Sequence, residues 1–379
     1  MSNITINYTQ QAVNLKQMIH LRKLNYYLIF LFLLCNPFED VRTQNLEANI
    51  DCLILNVLKD KTGPGGVFMV AKNGKSIYNK AFGKANVELA VNLTSENVFQ
   101  LGSMTKQFTA IAILMLEEQG KLNVKHAVSK YVPDYPAGDS MTIHHLLTHT
   151  SGIKDFTKMK SLRDIAQKEM TPKMLVDFFK NEPIDFKPGE KFEYNNSGYV
   201  LLGYIIELVS GETYEDYIKK HIFQKVGMYQ SYYATDRQLI YKRAYGYQKK
   251  YSGYVNKTVI SYSVPFASSS LMSTTTDMLK WQNALNQHVL LKEETSKRAF
   301  SKYKLNSGAE FTYGYGWHLK EINGFSGREH GGSIFGFKTM GVYIPGKDIY
   351  VIGLTNCDCY SPTQLVKDIA ALVLKSDKN

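Results

Sequence analysis

The chain has 379 residues, of which 44% are hydrophobic and 21% are charged, an ordinary balance for a globular protein of one large domain or two interleaved ones. Its formal net charge is +11, but the lysines are scattered and form no basic stripe, which argues against nucleic-acid binding. A basic surface of this kind weakly favours anionic partners, such as a cell-wall polymer or a membrane surface.

The N-terminus has the pattern of a targeting segment. Lys16, Arg22 and Lys23 precede the apolar run LNYYLIFLFLLC at 24–35, which is typical of a secretory signal peptide. At 12 residues this run is shorter than the roughly 20 that a spanning helix needs. We therefore expect residues 1–44 to be a signal peptide cleaved before Gln44, or an uncleaved N-terminal anchor. Either interpretation predicts an exported protein, periplasmic or extracellular.

The four cysteines do not form an obvious framework. Removing the signal leaves Cys52, Cys357 and Cys359, an odd number. The C-x-C pair lacks the two-residue spacer and the second pair that zinc sites use. A single bridge from Cys52 to either of the other two is left open.

Element signals change along the chain. A helical pattern at 45–60 ends at a glycine-rich breaker, and 67–83 forms a predicted hairpin with its turn at Asn73-Gly74. Helical patterns then dominate to about residue 225. The tyrosine- and lysine-rich stretch 229–260 is interpreted as loops and short strands, and longer strand-like runs return near the C-terminus. The predicted helices of the middle and the C-terminal part are 141–149, 159–169, 172–181, 197–209, 213–225, 271–285 and 362–375, and the strands are 311–320, 337–345 and 349–356.

Strands at both ends and helices in the middle predict an α/β fold of the α+β type. Its antiparallel sheet would be shared by the N-terminal hairpin and the C-terminal strands and flanked by helices. Residues 45–125 and 260–379 would form this α/β domain, and 126–259 an inserted, mainly helical domain.

One stretch carries a chemical signal, FQLGSMTKQFTAIAILML at 99–116. Ser103 and Lys106 are three residues apart, so on a helix they share one face. The segment from Phe108 to Leu116 is apolar on every face, which indicates a buried helix. A serine at the first turn of such a helix can act as a nucleophile if a neutral amine or a phenolate takes its proton.

An isolated S-x-x-K is weak evidence. The same spacing occurs at Ser151/Lys154 and at 301–304, without a long apolar helix behind it. For Ser103 the competing interpretation is an ordinary helix N-cap.

Two further segments offer partners. Tyr194 and Asn196 precede an apolar helix; a tyrosine near cations can have a lowered pKa and act as a base, and an asparagine can hold a substrate amide. The competing interpretation is a helix cap. Near the C-terminus, His330 and two glycines stand at the start of a strand-like segment, where the backbone could approach a ligand and lend N–H groups to an oxyanion. The competing interpretation there is a glycine turn.

The order of these motifs adds to their weight. S-M-T-K, then Y-N-N roughly 90 residues on, then H-G-G resembles the class C β-lactamase and penicillin-binding-protein family of serine hydrolases. The stretches HHLLTHTSGI, PGEKFEYNNSGY and SSSLMSTTTDMLKW also resemble family segments. The resemblance runs from about residue 48 to about residue 375.

The resemblance implies roles for single residues. Ser103 would be the nucleophile, with Lys106 helping to remove its proton and Tyr194 acting as base and then as acid. Asn196 would hold the substrate amide. The resemblance places three more residues along the substrate, His330, Gly332 and Ser333, and the backbone N–H groups of Ser103 and Ser333 would form the oxyanion hole. It implies no metal and no cofactor.

The third motif departs from the family pattern, since H-G-G replaces K-T-G. The loss of a fixed cation at His330 weakens the usual site for a β-lactam carboxylate. We therefore expect a secreted serine hydrolase that acts through an acyl-enzyme on an amide, β-lactam or ester carbonyl, β-lactamase-like or D-Ala-D-Ala-peptidase-like. The alternatives are a short-chain carboxylesterase and a catalytically idle cell-wall-binding or sensor relative. The partner would be a small molecule or peptide, not nucleic acid, and the N-terminal segment could tether the protein to a membrane.

Two other groups of residues invite interpretation. His145 and His149 have the i, i+4 spacing of a metal pair, beside His144, but Leu146 stands where a zincin has glutamate, so a structural helix end is favoured. The aromatic run at 313–317 is most simply sheet and core, and secondarily a wall of the substrate cleft.

Overall fold

The computed structural model describes residues 37–251 and 253–377, with side chains from residue 45 onward. The predicted signal run at 24–35 lies outside the described residues. The first helix, α1, is Pro37–Val57, and from Leu53 onward the described residues form one compact unit. No helix among the described residues combines the length and the apolar character needed to cross a membrane.

Helices fill the middle of the chain and recur at its end, as the sequence predicts. After α1 the described α-helices are α2 (Thr105–Glu118), α3 (Ile143–Leu147), α4 (Leu162–Ile165), α5 (Pro172–Phe179), α6 (Asn196–Ser210), α7 (Tyr214–Ile218), α8 (Gln224–Val226), α9 (Phe266–Ser269), α10 (Thr275–Asn286), α11 (Glu293–Ala299) and α12 (Pro362–Ser376). Between α7 and α8, Lys219–Phe223 forms a π-helical turn.

One antiparallel sheet is built from both ends of the chain. Its strands are β1 (Gly66–Lys72), β2 (Lys75–Phe82), β3 (His318–Ile322), β4 (Phe325–Ile334), β5 (Phe337–Ile344) and β6 (Ile349–Thr355). Their order across the sheet is β3-β4-β5-β6-β1-β2. Because β1 pairs with both β2 and β6, the N-terminal hairpin and the C-terminal strands share the sheet, which confirms the predicted fold class.

Turn chemistry explains two hairpins of this sheet, β1–β2 at one edge and β5–β6 in the middle. Asn73 and Gly74 have φ of 50° and 71°, the left-handed conformation that a two-residue hairpin turn requires. Asp348 has φ of 44° in the turn between β5 and β6, after the 3₁₀ turn Pro345–Lys347. Both hairpins lie where the sequence places them.

Short strand pairs complete the described structure. These are Lys84–Asn86 with Val91–Asn92, Phe99–Gln100 and Tyr232–Tyr233 on either side of Leu271–Ser273, Tyr247–Lys250 with Gly253–Asn256, and Tyr303–Lys304 with Glu310–Phe311. The pairs that involve Tyr232–Tyr233 and Tyr247–Lys250 fall in the stretch where a mainly helical domain is predicted. A single buried apolar cluster includes sheet residues such as Ile352 and helix residues such as Leu201, so the division at 125/126 and 259/260 stays a prediction.

Helix α2 lies at the centre of this cluster. Every residue from Thr105 to Leu116 is buried, as the all-round apolar pattern predicts. Phe108 stacks on Trp281 of α10 with ring centroids 4.2 Å apart, and the Trp281 indole donates to Gln107. Packing on all sides fixes the start of α2, and with it the residues that stand there.

Two features near the C-terminus differ from the sequence expectation. His330 and its two glycines lie in the second half of a ten-residue strand, β4, and not at its start. Cys357 and Cys359 are joined to each other, so neither is bridged to Cys52. The disulfide closes a short loop directly after β6.

Candidate active site

Ser103 stands in a tight turn at the beginning of α2. Gly102–Met104 form a 3₁₀ turn, and Gly102 has φ of 54°, which glycine adopts readily. No side chain caps this turn or the following helix. The N-cap interpretation of Ser103 is therefore wrong, and its hydroxyl is available for another partner.

Lys106 occupies a buried position with three polar contacts. Its Nζ lies 3.2 Å from Ser103 Oγ, 2.9 Å from Asn196 Oδ1 and 3.1 Å from the carbonyl oxygen of Ser268. The side chain is fully buried, and burial lowers the pKa of Lys106 to about 7, while the Asp155 carboxylate opposes that shift.

These contacts satisfy the lysine in both protonation states, because an ammonium can donate to all three oxygens and an uncharged amine to two of them. A neutral amine has two N–H donors and one lone pair. The two carbonyl oxygens, of Asn196 and Ser268, can only accept, so they take both N–H groups of Lys106. The lone pair then faces the Ser103 hydroxyl, which can donate its proton along the 3.2 Å contact. The geometry therefore allows Lys106 to act as a base toward Ser103.

Tyr194 lies on the other side of the lysine. Lys106 Nζ is 4.8 Å from the centre of the Tyr194 ring, a cation–π distance. The Tyr194 hydroxyl is buried and makes no hydrogen bond among the described residues. Burial raises the pKa of Tyr194, although proximity of its hydroxyl to Ser103 lowers it in part. The expectation of a lowered tyrosine pKa is wrong for this state of the site, because desolvation outweighs the contact with Ser103, and the Asp155 carboxylate raises the pKa of Tyr194 further.

Asn196 is available for the site because its neighbour caps the helix. Asn195 Oδ1 accepts from Gly198 N at 2.9 Å and caps α6, so Asn196 does not have that role. Asn196 Nδ2 donates to Asp155 Oδ2 at 3.2 Å, which turns its oxygen toward Lys106. Asp155 is buried and was not recognised in the sequence, although it lies two residues beyond the HHLLTHTSGI stretch.

His149 positions the segment that carries Tyr194. Its carbonyl accepts from Glu193 N at 3.0 Å, and its ring Nδ1 accepts from Asn195 N at 3.1 Å. The ring packs on the Tyr194 ring with centroids 4.3 Å apart. Burial holds the pKa of His149 well below its ordinary value, so the ring is neutral, with its proton on Nε2. A packing role of this kind has no recognisable sequence signal.

His330 is brought close to Tyr194, but it lies behind the site. Its Nδ1 lies 2.6 Å from the Gly331 carbonyl and its Nε2 lies 3.1 Å from the Tyr313 hydroxyl. Burial holds the pKa of His330 well below its ordinary value. His330 therefore provides a neutral, hydrogen-bonded ring where relatives with K-T-G would have a cation. Tyr313 is buried beside it as part of the core.

The glycines of the third motif let β4 approach the Ser103 turn. A Cβ on Gly332 would lie 2.0 Å from the Leu101 carbonyl oxygen, so only glycine fits there. A Cβ on Gly102 would lie 2.8 Å from Ser333 N. The Thr339 hydroxyl on β5 also donates to the Leu101 carbonyl at 2.8 Å. Ser333 N thus lies beside the turn that carries the nucleophile, as an oxyanion-hole donor must.

A cavity of about 570 Å³ opens beside Ser103. Its apolar wall is formed by Phe156, Leu162, Ile260, Val264, Pro265, Ile334 and Phe335. Its polar lining contains Ser103, Thr157, Tyr194, Asn196, Gln248, Ser268, Ser269, Ser333, Lys338 and Asp358. The cavity therefore brings together four predicted site residues with Lys338, a cation that sequence reasoning missed. His330 is not part of the lining.

Other candidate positions lie away from this cavity. A larger cavity of about 700 Å³, lined in part by Tyr241, Arg243 and Tyr245, contains no predicted site residue. His145 caps α3 in a reciprocal pair of hydrogen bonds with Thr142, in accord with a structural helix end.

The comparison with known proteins agrees with this geometry. A family model described as Beta-lactamase matches residues 51–374. The chain belongs to the β-lactamase family, which includes serine hydrolases, as its motifs predict. The match covers the whole of the described site.

Named relatives are similar over most of the chain. The chain is 32% identical to Penicillin-binding protein 4* of Bacillus subtilis in an alignment of 313 residues. This alignment covers 78% of this chain and 69% of the relative. The chain is 34% identical to Putative penicillin-binding protein PbpX of the same organism, over 74% of this chain and 67% of the relative. The octameric penicillin-binding protein homologue from Pyrococcus abyssi superposes with a TM-score of 0.76 at 31% identity, covering 86% of this chain and 77% of that one.

Proposed function

We propose that this protein hydrolyses amide or ester carbonyls through an acyl-enzyme on Ser103, with Lys106 as the base. The observation that carries the proposal is the set of three contacts around Lys106 Nζ, which satisfies a neutral amine and leaves its lone pair toward Ser103. Its pKa of about 7 leaves a large fraction uncharged near neutral pH.

Acylation follows from these contacts. Ser103 Oγ attacks the substrate carbonyl carbon while its proton passes to Lys106 Nζ. The carbonyl oxygen gains negative charge, which the backbone N–H groups of Ser103 and Ser333 stabilise. Asn196, held by Asp155, binds the substrate amide and keeps the carbonyl in line with Ser103.

Collapse of the tetrahedral intermediate needs an acid for the leaving group. The Tyr194 hydroxyl is protonated, buried and without a hydrogen-bond partner among the described residues. It gives its proton to the leaving amine or alkoxide and regains one from Lys106. In the second half-reaction, water attacks the acyl carbonyl carbon and gives a proton to Lys106 Nζ. Lys106 returns that proton to Ser103 Oγ as the ester bond to Ser103 breaks and the carboxylic acid product leaves.

The substrate class follows from the third motif. The neutral, buried His330 lacks the fixed cation that a K-T-G lysine gives to a β-lactam carboxylate. We infer that short-chain esters, and D-peptide-like amides without a carboxylate on the leaving group, are better substrates than β-lactams. Export from the cytoplasm, with cleavage before Gln44 or retention as a membrane anchor, belongs to the same proposal.

Intact-mass spectrometry of the exported protein tests this proposal. Samples are mixed with a penicillin, with a D-alanyl-D-alanine peptide whose C-terminus is amidated and with a small activated ester, beside a Ser103→Ala variant. We expect acylation or turnover of the ester and the peptide, and none in the variant. Turnover of the penicillin without a lasting adduct would instead indicate a β-lactamase.

The outcome against the proposal is equally clear. If no reagent acylates the protein, or if Ser103→Ala reacts as well as the parent, Ser103 is not the nucleophile. The catalytically idle relative would then be the better interpretation.

A further inference from the structure

One cation lines the cavity beside Ser103, and the mechanism does not use it. Lys338 is the second residue of β5, next to the tight turn from β4. Its Nζ donates to Ser333 Oγ at 2.8 Å. No carboxylate oxygen lies within 4.0 Å of Nζ in residues 45–251 and 253–377. Lys338 is therefore a half-buried charge whose hydrogen-bond partner is a neutral hydroxyl.

The register of the sheet fixes this cation relative to the reaction centre. Ser333 and Lys338 are directly opposite each other on β4 and β5, so their side chains project from the same face. Ser333 N is the proposed oxyanion donor beside Gly102. Lys338 is therefore the cross-strand neighbour of the residue whose N–H would bind the scissile carbonyl oxygen, which places its ammonium group close to the reacting carbonyl.

An acidic residue lines the same cavity but has its own partner. Asp358 lies in the loop closed by the Cys357–Cys359 disulfide, and its Oδ2 accepts from Gln248 Nε2 at 2.8 Å. Its carboxylate does not pair with Lys338 within 4.0 Å. Lys338 therefore lacks a counter-ion of its own in the cavity.

We propose that Lys338 binds a carboxylate on the acyl part of the substrate, so that this enzyme prefers acyl groups with a negatively charged end. This inference rests on the proposed function, because it assigns the specificity of the same site. The leaving group lies toward Tyr194, its proton donor, and the acyl chain toward Ser333 and Lys338. The apolar wall at Ile334 and Phe335 covers the methylene groups between the scissile carbonyl and the anionic end.

The test uses two esters that differ only in charge. One is the p-nitrophenyl monoester of adipic acid, which has a free carboxylate, and the other is the same compound with that carboxylate methylated. We expect the parent protein to have the higher kcat/KM for the anionic ester. In Lys338→Gln the ratio of the two values should fall about tenfold, and in Lys338→Arg it should be retained. Added salt should reduce the ratio in the parent.

Two further variants separate a local charge from other effects. Lys121→Gln removes one exposed cation beyond the far end of α2 and should leave both kcat/KM values unchanged. Asp358→Asn removes the nearby negative charge and should raise the preference for the anionic ester. A fall in that preference would overturn the proposal in favour of a cavity for zwitterionic groups.

A binding measurement tests the role of Lys338 without depending on turnover. Calorimetric titration of Ser103→Ala with adipic acid monoamide should give binding that weakens about tenfold when Lys338→Gln is added. Equal binding in both variants, or an unchanged ratio of kcat/KM values, would overturn the role of Lys338. Failure of Ser103 to react, with binding still dependent on Lys338, would instead count against the proposed hydrolysis alone.

Discussion

At the scale of single residues, the site separates two proton-transfer roles through burial. Burial disfavours the charged form of both Lys106 and Tyr194. For the lysine this produces a free amine near pH 7, and for the tyrosine it keeps the hydroxyl protonated. Burial therefore provides both a base, Lys106, and an acid, Tyr194, close to Ser103.

The first prediction concerns the pH dependence of acylation. Below its pKa of about 7, Lys106 is an ammonium that cannot accept a proton, and above that pH it is a neutral base. The kcat/KM for an activated ester, corrected for spontaneous hydrolysis, should rise through about pH 7 and then level off. Lys106→Arg, which stays protonated, should lose roughly a hundredfold or more at pH 8. A profile that is flat from about pH 5.5 to pH 9 would contradict the role of Lys106.

The second prediction separates Tyr194 from Lys106. An acid is needed most by a poor leaving group, because p-nitrophenolate departs without a proton. Tyr194→Phe should therefore lower kcat/KM roughly a hundredfold for an alkyl ester or an amide, and no more than about tenfold for a p-nitrophenyl ester. The pH inflection near 7 should persist in this variant. Equal losses for good and poor leaving groups would assign Tyr194 a purely structural role.

At the scale of elements, the site depends on the contact between β4 and the turn before α2. Gly332 and Gly102 each lack the Cβ that would separate the two backbones. This contact places Ser333 N beside the nucleophile. Catalytic geometry is therefore tied to the docking of one strand.

The third prediction tests that docking. Gly332→Ala would place a methyl group 2.0 Å from the Leu101 carbonyl oxygen and should lower the free energy of unfolding by about 1–3 kcal/mol. Activity should fall further than stability alone explains. Gly331→Ala is the matched control, because its Cβ would lie 3.2 Å from its nearest neighbour, the Thr339 carbonyl oxygen. Urea unfolding should give a smaller loss for this control, and similar losses in both variants would argue against a specific contact at Gly332.

The sequence was sufficient for some elements and not for others. The Asn73-Gly74 turn and the all-round apolar pattern of α2 are local signals, and both elements lie where they are predicted. Strand β4 was not recognised as a long strand because it contains three glycines and no regular alternation. Lys338 was missed for a related reason, since its place opposite Ser333 depends on the β4–β5 register. Asp155 was missed because it reaches the site through Asn196, 41 residues away in the chain, and through its charge near Lys106.

At the scale of the whole molecule, one buried cluster connects the sheet and the helices. Leu201 of α6 and Ile352 of β6 are both fully buried in it. A continuous core of this kind couples the helical region to the sheet, even though the sequence suggests two domains. The cavity beside Ser103, which residues of both regions line, is therefore supported by the same packing.

The fourth prediction follows from this continuity. Leu201→Ala and Ile352→Ala should each lower the free energy of unfolding by about 2–5 kcal/mol. Both should shift one common thermal transition, followed by calorimetry and by tryptophan fluorescence together. An exposed position, Leu208, gives the control, since Leu208→Ala should change stability by less than about 0.5 kcal/mol. If two thermal transitions were seen, and each variant shifted a different one, the two regions would unfold independently.

The buried amine of Lys106 also lowers the stability of the folded protein. In the unfolded chain, Lys106 is exposed to water and gains a proton, which stabilises the unfolded state relative to the folded one. An apolar side chain of similar size at this position would therefore make the protein more stable, by about 1–4 kcal/mol at neutral pH. The presence of a lysine at this buried position is therefore better explained by the proposed chemistry at Ser103 than by packing.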